Sequence, residues 1–346
     1  MTLLNKQPSG LEIAGIQATE PRPRKTILDF LDRHRRSLSA FLVFVVMMLI
    51  FMVFAPSVFL STEIYEAVFT SLPIRIILVL PLVFVIVSGE IDLSFVSAMT
   101  VSLWAFAATA EAGWNPFLSL FLALIVGAAI GLANGWLVTR MGLSSMVATL
   151  GMSFLLRGLV LGFTEAIYIP LKFLQDTTFY NLFVGQIGSL PGQMIWALVC
   201  AIIAVALFNY HKFGSWISCV GDNEESSREM GIYVRRTKTM AFVYMGLGAA
   251  FAGVMSGLIY KTFWPRSGDP GELLLAILAS AFIGGTPTWG GVGTVVGAIF
   301  GSFTIRFIET GVIAVGMTGF WTQLVNGVII LIALASHKLH DPRLRY

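Results

Sequence analysis

The chain has 346 residues, 56% of them hydrophobic and only 12% charged, with a formal net charge of +3 and a mean hydropathy of +0.83. Such a composition excludes an ordinary soluble domain. The net positive charge is concentrated at one side of the apolar segments, which speaks for orientation in a bilayer and against nucleic-acid binding. The two cysteines, Cys200 in an apolar run and Cys219 in a polar loop, exclude a disulfide scaffold and cannot close a metal site alone.

In chain order, residues 1–37 form a polar tail without a cleavable signal pattern, solvated or headgroup-bound, with an amphipathic stretch from Lys25 to Arg36. Apolar runs able to cross a bilayer then follow at 38–56, 73–88, 93–110, 116–138, 145–163, 193–209, 239–259, 271–287, 292–312 and 320–336. The expected fold is therefore all-α and integral to the membrane, with about ten transmembrane helices in a permease domain over 38–336. The runs at 73–88 and 271–287 are short and lead into acidic or Gly-rich sequence, as broken or re-entrant helices do. A short tail, 337–346, ends the chain.

An inside N-terminus places sixteen of the 22 basic residues on the inner side, all but Arg75, Arg157, Lys172, Lys261, Arg266 and Arg306. The positive-inside rule thus predicts that both termini are cytoplasmic. It also puts the polar loop 210–238 inside. Within that loop Gly221, Asp222, Asn223, Glu224, Glu225, Arg228 and Gly231 belong to a compact, charged, helical segment that a soluble partner can push on. Asp222 is the expected helix cap, the two glutamates suit the positive helix end, and Arg228 is spaced to pair with them.

Several chemistries are missing. No lysine follows a glycine, so the phosphate-cradling Gly-Lys pair of a P-loop is absent and nucleotide hydrolysis must come from another chain. The four histidines, His34, His211, His337 and His340, lie in tails or the inner loop, which removes intramembrane histidine catalysis and the zinc-protease pattern. Ser153 lacks the second glycine of a nucleophile elbow, and Asp29 and Asp32 read as a surface ion-pair face. No catalytic residue, metal ligand or cofactor site is expected.

Two glycine stripes, Gly127-Gly131-Gly135 and Gly293-Gly297-Gly301, place glycine at every fourth position, where backbones approach closely. Packing within the bundle is the plainer reading, and an interface between subunits is the alternative. Their similar positions in the two halves, together with the paired irregular segments 73–97 and 271–291, suggest an internal repeat with its site at the breaks. Ionisable residues at membrane depth are Glu90, Asp92, Arg157, Glu272 and Arg306, and each should face protein or water. Glu90, Asp92, Ser94, Asn134 and Arg157 are the candidate pathway residues, offering hydrogen bonds to hydroxyl groups. Helix capping at the break is the plainer role for Glu90 and Asp92.

Four motifs, in order, resemble the permease subunits of bacterial ribose-type sugar ABC importers. Gly89-Glu90-Ile91-Asp92-Leu93-Ser94 is similar to the family's Gly-Gly-Ile-Asp-Leu-Ser. Asn134-Gly135 is followed by Thr149-Leu150-Gly151 and Arg157-Gly158. Gly221, Asn223, Ser226, Ser227, Gly231 and Ile232 fit the family's inner loop. Glu272-Leu273, Gly284-Gly285-Thr286, Gly290-Gly291 and Gly293-Thr294 complete the set. Glu90 departs from the family's second glycine, and Val292 stands where many relatives carry a basic or polar residue.

The resemblance implies a bacterial inner-membrane importer subunit, working as a homodimer or with a paralogous permease and surrounded by membrane lipid. Two cytoplasmic ATPases and a periplasmic sugar-binding protein complete such systems, and the loop at 221–232 becomes the coupling element. The cargo it implies is a monosaccharide or related polyol. Branched-chain amino acids, nucleosides or a furanosyl signal are the alternative cargoes, and an ion-coupled secondary transporter is the alternative of another class.

Overall fold

A computed structural model describes residues 27–188, 190–268, 271–314, 316–318 and 320–339. The first helices are α1 (Ile27–Phe54), the short α2 (Pro56–Phe59), α3 (Glu63–Val87), α4 (Phe95–Glu111), α5 (Pro116–Thr139) and α6 (Ser145–Thr164). A connector with β1 (Ile169–Pro170), α7 (Thr178–Val184), β2 (Gln186–Ile187) and β3 (Leu190–Pro191) leads to α8 (Gly192–Asn209). Then come α9 (Lys212–Asp222), α10 (Glu224–Glu229), α11 (Val234–Tyr260), β4 (Thr262–Phe263), α12 (Gly271–Ile283), α13 (Val295–Ala314) and α14 (Phe320–Leu339). Among the described residues seven helices are long and apolar enough to span a bilayer; α4 has 17 residues, α12 has 13, and α14 contributes the shorter apolar stretch Phe320–Ala335. Each of the ten expected runs coincides with a helix.

The details differ from expectation in four places. The run at 73–88 is not a short broken helix but the end of the unbroken 25-residue α3, which absorbs Pro73 and Pro81. Neighbouring helices supply the packing that lets a membrane helix tolerate proline; a methyl on Gly248 of α11 would come within 2.6 Å of the Pro81 ring. The run at 271–287 stops at Ile283, where Gly284 and the left-handed Gly285 end it. The last stripe is also shorter on its helix, since Gly293 lies in the turn before α13. Helix α1 begins at Ile27, within the stretch read as tail; residues 1–26 and 340–346 lie outside the described part.

Helix α3 is the buried axis of the bundle, with 83% of its most apolar window inside, and α11, α8 and α13 pack around it. Helices α4 and α5 close the other side of α11. The stripe on α5 makes that contact possible. Methyl groups at Gly127 and Gly131 would fall 2.3 Å and 2.2 Å from the carbonyl oxygens of Gly246 and Phe242, so two backbones touch without side chains between them. Gly297 and Gly301 lie as close to Gly284 and Ser280 of α12. Both stripes are therefore spent inside the chain.

At the opposite end from the loop 210–238, β1 pairs antiparallel with β4, Ile169 facing Phe263 and Pro170 facing Thr262. The connector 165–191 and the segment after α11 form one surface, with the rings of Tyr168 and Trp264 6.3 Å apart.

Candidate functional site

The turn between α3 and α4 is the polar centre of the molecule. Gly89, in the left-handed region at φ 85°, ends α3, and the chain then runs without regular structure through Ile91, Asp92 and Leu93. An irregular backbone inside a membrane bundle needs partners for its exposed N–H groups. Helix α6 supplies them from one face. Ser145 Oγ accepts from the Ile91 N–H at 3.1 Å, Thr149 Oγ1 accepts from the Leu93 N–H at 3.0 Å, and Ser153 Oγ bonds Ser97 Oγ at 2.9 Å. Hydroxyls at every fourth position thus turn α6 into a rail for the break. Of these, Ser145 escaped the sequence reading and Ser153 was weighed there only as a nucleophile, although their spacing with Thr149 is visible in it.

Asp92 is buried, and its Oδ1 accepts from both the N–H and the hydroxyl of Ser94 at 2.7 Å. Ser94 Oγ in turn accepts from Asn134 Nδ2 at 2.7 Å, which ties the break to α5. Asn134 Oδ1 is buried without a protein partner. Three of the expected pathway residues are therefore joined in one network. Arg157 continues the polar face of α6 one turn past Ser153 and is half-buried.

Glu90 goes elsewhere. Its Oε1 lies 2.5 Å from the ammonium of Lys238, at the start of α11, and the same ammonium also bonds Glu224 Oε1. Lys238 and Glu90 are only 9% and 13% exposed, so this bridge is shielded from solvent. Glu90 thereby faces the inner loop and not the Asp92 network.

That loop folds as two helices, where one was expected. Helix α9 buries Phe213, Ile217 and Val220 on one face and leaves the other outward. It ends at Asp222, and the cap of α10 is Asn223, whose Oδ1 accepts from the Ser226 N–H at 3.0 Å. The cap moves by one residue because Asp222 still belongs to α9, while Asn223 has the extended backbone that an N-cap requires. Arg228 pairs with Glu224 at 3.4 Å, and Gly231, at φ 79°, ends the segment. Asp222, Asn223, Glu225, Arg228 and Glu229 all remain exposed.

The loop meets the break through backbone. A methyl on Gly221 would sit 1.8 Å from the Val87 carbonyl oxygen and 2.6 Å from the Gly291 nitrogen. The Gly291 N–H itself donates to Val87 O at 2.8 Å, and a methyl on Gly290 would lie 2.8 Å from Gly89 Cα. Both irregular segments, 88–94 and 284–294, thus meet at one glycine junction with the end of α9 clamped onto it. Each motif was legible in the sequence; their contact was not.

A second polar cluster joins α3, α13 and α14. Glu309 accepts from Arg75 at 2.6 Å and from Asn326 at 3.0 Å, with Arg306 at 3.5 Å. Glu272 accepts from Thr322 Oγ1 at 3.1 Å. Arg306 and Glu272 were expected to face protein or water: Arg306 is half-buried beside Glu309, whereas Glu272 is exposed and bonds Thr322 from the start of α12.

A multi-helix membrane bundle, with a polar break gripped by an amphipathic segment whose outer face is free and charged, has the build of a permease. Residues 64–334 match the family of branched-chain amino acid transport system permease components, and the chain belongs to that family. It is 33% identical to a probable ABC transporter permease of Sinorhizobium fredii, over 78% of this chain and 79% of the relative. It is 29% identical to the D-allose transport system permease of Escherichia coli K12, over 93% and 96%. The autoinducer 2 import system permease of Photorhabdus luminescens is 30% identical over 83% and 84%. No solved structure matches. The chain is a permease subunit of an ATP-binding-cassette transport system.

Proposed function

We propose that this chain forms the translocation pathway of a bacterial inner-membrane importer for a monosaccharide or related polyol. The observation that carries the reading is the clamp of Gly221 on the junction of Val87 and Gly291, beneath an outward charged face. A cytoplasmic ATPase docked on Asn223, Glu225 and Arg228 would move α9, and α9 cannot move without moving both breaks. Asp222, Glu224 and Gly231 shape that docking segment. Both termini are cytoplasmic in this arrangement, and a second copy of the chain or a paralogue completes the pathway.

The cargo reading rests on relatives whose names specify D-allose, ribose and autoinducer 2 transport. Asp92, Ser94, Asn134 and Arg157 are polar groups suited to hydroxyls, close to or in line with the break. Glu90 has a different part in this reading: it holds the coupling segment through Lys238. The paired connectors around β1 and β4 form the surface for a periplasmic binding protein.

A branched-chain amino acid cargo is the alternative that the family description itself raises. The test reconstitutes the permease in vesicles with its cognate ATPase and binding protein. Uptake of labelled ribose or allose, driven by ATP inside, supports the proposal. Uptake of leucine instead refutes the cargo, and uptake by this chain alone on an ion gradient refutes the ABC mechanism. Glu225→Arg and Gly231→Pro should each cut uptake at least tenfold while the complex still hydrolyses ATP.

A further inference from the structure

Beside the coupling segment lies a groove of about 1370 Å³, of whose lining the transport reading uses only Arg228 and Gly231 at the rim. Its origin is a packing mismatch. Helix α5 is drawn tightly onto α11 by its glycine stripe, whereas α8 packs on α3. One face of the first half of α11, carrying Arg236, Met240, Val243 and Leu247, is therefore left uncovered between α5 and α8.

The floor and walls are apolar, formed by Leu132 and Trp136 of α5, Leu207 of α8, and Met240, Val243 and Leu247 of α11. Trp136 is 52% and Leu132 55% exposed, so this surface faces outward and is not core. Leu247 lies roughly 18 Å further along the helix axis than Arg235, about the reach of an acyl chain.

The mouth is different. Arg140, Arg235 and Arg236 line it and are exposed, with Arg228 alongside, already held by Glu224. Among the described residues no acidic side chain lines the groove. Arginine presents its donors as a planar fork that matches phosphate oxygens. A net-positive rim over an apolar slot complements one kind of molecule, an anion on an acyl tail. Basic residues at a membrane face are common for orientation alone, but these converge on a single slot deep enough for the tail.

We infer that this groove is a binding site for an anionic phospholipid, its phosphate held by Arg140, Arg235 and Arg236 and one acyl chain lying along α11. The inner-leaflet placement rests on the orientation proposed above; the binding itself does not. Because α10, Gly231 and α11 meet at its mouth, an occupied site would brace the coupling segment against α5.

The experiment uses the purified full-length permease without ATPase or binding protein, so it succeeds or fails independently of the transport reading. Lipid retained from an equimolar mixture of palmitoyl-oleoyl phosphatidylglycerol and the phosphatidylcholine equivalent is counted by native mass spectrometry. One phosphatidylglycerol per chain, enriched tenfold or more, is expected. Each Arg→Gln change at 140, 235 or 236 should lower that enrichment about fivefold, given roughly 1 kcal/mol per basic residue near an anionic headgroup. In wild-type protein, a phosphatidylglycerol with a photoreactive acyl chain should label the segments around Leu132, Val243 and Leu247. Equal retention of both lipids, undiminished preference in the triple variant, or labelling confined to other helices would overturn the site. Protection of the groove by a second copy of the chain would do the same.

Discussion

The ammonium of Lys238 lies 2.5 Å from the carboxylate of Glu90 and also bonds Glu224, so one cation joins the α3–α4 break, α10 and the start of α11. A buried cation that loses one of two counter-charges remains paired; losing both leaves it stranded, at a cost of about 3–5 kcal/mol. Glu90→Gln and Glu224→Gln should therefore each be mild, while the double variant falls well below their sum in thermal stability. The ratio of ATP hydrolysed to cargo moved should rise in the same non-additive order. Strict additivity in both readouts would show that Lys238 does not bridge the two segments.

Gly221→Ala tests the glycine junction. The new methyl would drive into the Val87 carbonyl and split the Gly291–Val87 hydrogen bond. Overpacking of this kind costs about 1–3 kcal/mol, and uptake should fall at least tenfold at unchanged expression. Gly158→Ala is the control, because nothing lies within 4 Å of the added methyl. Equal effects of the two substitutions would remove the special status of the junction.

The Arg75–Glu309 pair predicts a stability effect far from the coupling segment. Both side chains are nearly buried, and Glu309 also serves Asn326. Glu309→Ala should leave two guanidinium groups short of a counter-charge and cost about 3–5 kcal/mol, read as a lower unfolding temperature in detergent. Arg75→Met in the Glu309→Ala background should cost much less than Arg75→Met alone. A further full-sized loss in the double variant would mean that the two residues do not interact.

Thr149→Val should weaken the break without touching the coupling segment. It strands the Leu93 N–H, which now donates to Thr149 Oγ1 at 3.0 Å, and an unmet buried donor costs about 1–3 kcal/mol. Uptake should drop severalfold, and Thr149→Ser, which keeps the hydroxyl, should restore most of it. Failure of serine to restore function would assign the effect to packing of the methyl group.

Much of this molecule is set by local chemistry. Long apolar runs must become helices in a bilayer because no water is there to satisfy the backbone, so ten runs gave ten helices, although the run before Gly89 became a long helix rather than a broken one. Glycine at every fourth residue placed the close contact on the correct face of α5, but that face is equally available to a neighbour or a second subunit. Only packing in three dimensions assigned it to Gly246 and Phe242 of α11. Likewise, the sequence shows Glu90 two residues from Asp92 and cannot say that their side chains part company. Asp92 caps its own turn through Ser94, a local bond; Glu90 finds Lys238, 148 positions away. Charge counting could mark the polar loop. It could not show that Gly221 closes on Val87 and Gly291, because that contact depends on three distant backbones meeting where none of them carries a side chain.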